Sequence, residues 1–148
     1  MPDIFQGRPV LAGEVTGEAL VTRQGFNTLA SYQMSIVLRS RVATCGDQNN
    51  PDLYKKVITG KILCLPQTIG STTGGLVIQT IARLGTGPSA MLFSEQVDSL
   101  AAGGAILADI WVGQRIVVVD RLGSAFLARV KEGDRICIHA DGRVEVGV

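Results

Sequence analysis

This chain is poor in most of the residues that usually announce chemistry. It carries a single histidine, His139, which excludes a His-based metal site within the chain and argues against a Ser-His triad. Its three cysteines, Cys45, Cys64 and Cys137, are odd in number and widely spaced, with no CxxC pair and no disulfide framework. Charged residues make up only 18% and the formal net charge is +1, so nothing electrostatic favours nucleic acid or an acidic membrane surface. No apolar run approaches membrane-spanning length. The start, Met-Pro-Asp-Ile-Phe-Gln-Gly-Arg-Pro, lacks the basic-then-apolar pattern of a signal peptide, which places the protein in the cytoplasm. Neither a Walker A motif nor GxGxxG is present.

What remains is apolar and rich in small residues. Hydrophobic residues reach 46% and the mean hydropathy is +0.29, so part of the surface is expected to be hidden against a partner. The 148 residues suit one domain with a proper core, spanning residues 1–148. Its centre is the stretch 66–84, Pro-Gln-Thr-Ile-Gly-Ser-Thr-Thr-Gly-Gly and then Leu-Val-Ile-Gln-Thr-Ile-Ala-Arg-Leu. The apolar run Lys61 to Leu65 before it reads as a buried strand. Leu76, Val77, Ile78, Ile81 and Leu84 behind it have helical spacing, with Gly85 as the C-cap. A loop of small residues thus leaves free backbone N–H groups at a helix N-terminus, where they favour negative charge. Ser71, Thr72 and Thr73 sit in that loop. The same residues also read as an ordinary capped turn, and pattern alone supports only an anion-friendly loop.

Arg8 to Val15 and Gly17 to Thr22 read as strands, with Gly13 and Gly17 bracketing a bend or bulge. Arg23 to Ser31 reads as a loop whose small polar groups could line a pocket, and Tyr32 to Val42 fits either helix or strand. The turn formers of 46–51 make a polar connection. Ser89 to Phe93 and Arg115 to Asp120 are further core strands. Ser99 to Ile110 is a helix in which Gly103 and Gly104 permit close packing. Phe126 to Val130 is a short helical turn, and Asp134 to Ala140 pairs with Arg143 to Val148 around Asp141-Gly142. The fold class is α/β, a mixed sheet with a β-α-β-α-β middle and terminal β-strands. Cys64 and Cys137, inside apolar strand patterns, are expected in the core, leaving Cys45, in a polar turn, as the one candidate for a reactive or ligating role.

Five blocks occur in a fixed order: Gly17-Glu18-Ala19-Leu20-Val21, Gly60 to Pro66, Gly70-Ser71-Thr72-Thr73-Gly74, Gly87-Pro88-Ser89-Ala90 and Gly133-Asp134-Arg135. This series resembles the small subunit, or swivel domain, of the aconitase X group of hydro-lyases, from about residue 8 to the C-terminus. The resemblance implies a swivelling β/β/α domain that closes over a large catalytic subunit, as a heterodimer or higher assembly. It implies an iron–sulfur cluster in that large subunit, none being expected on this chain alone. It also assigns the proton acceptor to Ser71. The family's Ser-Phe-Leu/Trp-Gly-Gly-Val-Asp segment is replaced here by Phe26 to Ser31, and Gly75 stands where many relatives have a second Ser.

The implied reaction removes a proton α to a carboxylate and expels a β-hydroxyl from a small hydroxy-acid. Ser71 is then catalytic, with Gly70, Thr72, Thr73, Asn27 and Thr28 as substrate-binding candidates and no metal ligand. Two substrates are implied, cis-3-hydroxy-L-proline, giving Δ1-pyrroline-2-carboxylate, and mevalonate 5-phosphate. A phosphate site usually draws Arg or Lys, and none lies between Pro66 and Ile81, which leans the expectation toward cis-3-hydroxy-L-proline. The rival reading is a non-catalytic swivel module whose loop only binds an anion.

Overall fold

A computed structural model describes residues 1–148. Eight strands form one mixed sheet: β1 (Asp3–Gln6), β2 (Arg8–Leu11), β3 (Val15–Val21), β5 (Ile62–Leu65), β7 (Ala90–Phe93), β8 (Val117–Asp120), β9 (Arg135–Ile138) and β10 (Arg143–Val146). Their order is β1-β10-β9-β3-β5-β7-β8-β2, and the short strands β4 (Phe26–Asn27) and β6 (Thr68–Ile69) pair separately. The helices are α1 (Thr28–Val37), α2 (Gly74–Leu84), α3 (Ser99–Leu107) and α4 (Ser124–Arg129), with a π-helical turn over Ala108–Val112.

β3 joins the two halves. Its first residues, Val15 to Glu18, pair antiparallel with β9, and its last, Ala19 to Val21, pair parallel with β5. From there β5, β7 and β8 run parallel, as two β-α-β passages require. These strands are buried at every position, and apolar at all but Asp120 at the end of β8, because both faces are covered. Leu63 and Leu65 face one core with α1, α2 and α3, where Phe26, Tyr32, Ile78 and Phe93 pack. Ile62 and Cys64 face a second core with Phe126, Ile136, Ile138 and Val144. The antiparallel end curls over that second face, and Phe5 meets Phe126 edge-on at 5.4 Å between ring centroids. The layering is β/β/α.

Several expectations shift. The N-terminal residues make an unforeseen edge strand, β1, along β10. The bulge falls in β2 between Pro9 and Leu11, not at the Gly13–Gly17 bracket. Thr28 to Ser31 is helix rather than loop, because Asn27 accepts a hydrogen bond from the Ala30 amide (3.0 Å) and starts α1 there. Cys45 is buried, since its turn folds back against the α1 side of the sheet and its amide bonds to the Lys56 carbonyl at 2.9 Å. Cys137 is instead the half-exposed cysteine, because its strand neighbours Ile136 and Ile138 take the core-facing positions. No helix is long and apolar enough to cross a membrane.

Candidate active site

The β4–β6 pair places the loop after β5. Phe26 and Asn27 register with Thr68 and Ile69, so the early segment lies directly against the residues leading into Gly70. Gly70 has φ 98°, a left-handed conformation that favours glycine, and an added Cβ would meet the Asn27 carboxamide at 2.8 Å. The chain then turns through Ser71 and enters α2 at Gly74.

At that entry the Thr73 amide donates to Ser71 Oγ at 3.2 Å, and the Ser71 and Thr73 hydroxyls lie 2.9 Å apart. One of the unpaired N–H groups of the α2 N-terminus is therefore spent on the serine oxygen, at the positive end of an 11-residue helix. Such a bond makes the oxygen a better place for negative charge, and it also closes a turn. The hydroxyl stays exposed, at one wall of a cleft of about 160 Å³ lined by Thr28, Thr68, Gly70, Asp98 and Leu100 among others.

The opposite wall is the start of α3. Asp98 caps this helix by accepting from the Ala101 amide at 2.9 Å, and its other oxygen accepts a hydrogen bond from the Thr68 hydroxyl. Behind it, the buried Asp120 carboxylate accepts from the Val97 amide at 2.8 Å and from the Arg8 guanidinium at 2.9 and 2.7 Å. Burial pushes the Asp120 carboxyl up, but the Arg8 and Val97 hydrogen bonds outweigh it and hold the group below its ordinary value. The wall is fixed by a charge, not only by packing.

Glycines set how closely the helices behind the two walls cross. An added Cβ on Gly75 would meet the Leu100 carbonyl oxygen at 2.6 Å, and Gly104 faces Gly75 across the same crossing. The α2 and α3 backbones thus approach as closely as side-chain-free residues allow. Gly104 performs the close packing expected of the pair, whereas Gly103 faces open space. Gly75 sits at a point where this crossing leaves no room for a side chain.

Of the six expected site residues, Ser71, Gly70 and Thr28 line the cleft. Thr73 reaches it only through Ser71 Oγ, while Thr72 turns to a different groove between α2 and α3. Asn27 acts as the α1 cap beneath Gly70 instead of facing the cleft. Thr68 and Asp98 were missed. Asp98 had a local signal, an acidic residue directly before a helical pattern, but nothing in the sequence shows it crossing to Thr68.

The family model of the aconitase X swivel domain matches residues 4–146. The chain belongs to the aconitase X swivel domain family. Among curated relatives of this family member, the phosphomevalonate dehydratase small subunit of Thermococcus gammatolerans is 32% identical over 143 residues, covering 96% of each chain. That of Pyrococcus furiosus is also 32% identical, over 96% of this chain and 94% of its own. The crystal structure of Thermococcus kodakaraensis aconitase X in its holo-form superposes with a TM-score of 0.81 at 26% identity, over 97% of this chain and 98% of that one. The β/β/α swivel fold expected of the family is the one found.

The cysteines do not suit an iron–sulfur cluster on this swivel domain. Cys45 and Cys64 are buried in different core layers, and Cys137 stands on the outer face of β9. Burial pushes the Cys64 thiol far up, against the thiolate a cluster requires.

Proposed function

We propose that this chain is the small subunit of an aconitase-X-type dehydratase and that Ser71 is its proton acceptor. The observation that carries this reading is the exposed Ser71 Oγ, held by the Thr73 amide at 3.2 Å on the wall of the cleft. A substrate bound there loses the proton α to its carboxylate to Ser71 as the carbon–hydrogen bond breaks. The electron pair forms the new carbon–carbon double bond and the β-hydroxyl departs, so that one water leaves overall. The positive end of α2 stabilises the serine oxygen while it carries charge. The large subunit covers an apolar rim on which Leu76, Ile110 and Trp111 stand 64%, 68% and 74% exposed.

The relatives named phosphomevalonate dehydratase favour mevalonate 5-phosphate as substrate, reversing the lean toward hydroxyproline. On this reading the cations for the phosphate come from the large subunit, since the stretch from Pro66 to Ile81 has none. One observation favours cis-3-hydroxy-L-proline as the second reading: Asp98 lines the cleft, where a carboxylate suits a ring ammonium better than a phosphate. Co-expression with the large subunit and assay of both substrates separates the two. Turnover of mevalonate 5-phosphate supports the first reading, and turnover of the hydroxyproline alone supports the second. Anion binding by this chain alone, with neither substrate turned over by the pair, would make the loop a simple binding module.

A further inference from the structure

A second group of ligating side chains stands on the β9–β10 hairpin. Cys137 and His139 are two residues apart along the extended chain, so both project from the face opposite Ile136 and Ile138. Glu145 is the direct register partner of Cys137 across the hairpin. His139 Nε2 lies 3.7 Å from Cys137 Sγ and 2.9 Å from Glu145 Oε2. All three donor atoms fall within 4.8 Å of one another. Glu14 Oε1 approaches the other ring nitrogen, Nδ1, at 4.0 Å.

We propose that Cys137, His139 and Glu145 form a binding site for a divalent cation of the zinc or cobalt class. Bond lengths of zinc to sulfur, nitrogen and oxygen put tetrahedral donors about 3.4–3.6 Å apart, so small side-chain adjustments complete the geometry. One sulfur, one nitrogen and one oxygen donor select a borderline cation over magnesium or calcium, which require oxygen ligands. A thiolate and a carboxylate together balance a charge of two, with the imidazole neutral. On binding, the Cys137 thiol releases its proton to solvent and the Nε2 lone pair turns to the metal. The carboxylate of Glu14 then accepts a hydrogen bond from Nδ1–H, the outer contact that fixes a ligating imidazole. The fourth position stays open to water.

The site lies where β9 meets the beginning of β3, through Val15↔Ile138 and Thr16↔Cys137. The Ser71 loop follows β5, which pairs with the opposite end of β3. The cation therefore clamps the curled antiparallel layer, tying β9 to β10. A single histidine does not exclude a metal, because strand alternation and cross-strand register supply the other two ligands.

Titration of the purified chain with Co²⁺ under reducing conditions tests this. The expected result is one equivalent bound, with a thiolate-to-cobalt charge-transfer band and a Zn²⁺-dependent rise in Tm. Cys137→Ser abolishes the band although Cys45 and Cys64 remain. His139→Gln weakens binding more than the roughly 10–100-fold expected of the outer variant Glu14→Gln. Circular dichroism confirms that each variant is folded. The absence of a band in the wild type, or its persistence in Cys137→Ser, overturns the proposal.

Discussion

The two ends of β3 are built on opposite principles. At its C-terminal end, the cleft is made of backbone amides, hydroxyls and glycines beside one carboxylate, Asp98, whose two oxygens are already engaged, and its shape depends on groups that are small. At its N-terminal end, the hairpin face is made of a thiol, an imidazole and carboxylates, and its properties depend on groups that titrate. The first end is therefore sensitive to added atoms, and the second to lost donor atoms. Both arrangements hang on one strand that changes partner midway, from β9 to β5.

The sharpest way to break the contrast is Ser71→Ala. Activity of the assembled enzyme is expected to fall by more than the roughly 10²–10⁴-fold typical of losing a general acid or base. Stability should change by no more than about 0.5–2 kcal/mol, the range of a lost helix cap. Solvent exchange at the substrate α-carbon is the direct readout, and exchange persisting near the wild-type rate would move the base elsewhere. Thr72→Ala, in a separate groove, should leave exchange nearly intact.

Gly75→Ala probes the helix crossing. The added methyl meets the α3 backbone, which has no rotamer to yield, so a loss of about 1–3 kcal/mol is expected from thermal unfolding. Gly103→Ala, with open space around it, should be neutral or stabilising by about 0.5–1 kcal/mol. Equal effects from both would show that the crossing is looser than its geometry.

Asp120→Asn tests whether charge fixes the wall behind Asp98. Removing the carboxylate from the Arg8 and Val97 hydrogen bonds is expected to cost about 1–3 kcal/mol at neutral pH. The folded carboxyl is held below its unfolded value, so its stabilisation is complete above the ordinary carboxylate range and disappears as pH falls through the folded value. The gap between wild type and Asp120→Asn should accordingly narrow in acid, as followed by Tm against pH. A gap constant with pH would assign the loss to packing alone.

The smallest effect is expected at the other end. Cys137→Ser in the presence of a chelator should alter stability by less than about 0.5 kcal/mol, as for other surface positions away from special features. A large loss without metal would mean that Cys137 is a packing residue.

The strands β5, β7 and β8 were legible because both faces are buried, and continuous apolar runs announce that. Gly85 was legible as a helix end, and its φ of 72° is the left-handed conformation a terminating glycine supplies. The boundary of α1 was not. Asn27 looked like a loop residue because its capping bond becomes decisive only when the next turn packs, and Thr28 and Tyr32 are buried by tertiary contacts. Cys45 and Cys137 were misassigned for a related reason: a polar turn reads as exposed until it folds back, and an alternating strand does not say which face is covered.

By itself, then, the sequence determined the alternation of strands and helices, the glycine-flanked serine loop and the family to which the chain belongs. These depend on neighbours within a few residues or on blocks kept in order. The tertiary structure alone decided that Asp98 faces Ser71 across a cleft, that α2 and α3 cross closely at Gly75 and Gly104, and that Cys137, His139 and Glu145 converge. Each of those pairings joins residues whose proximity follows from strand register or helix crossing, and such long-range contacts leave no local periodicity to read.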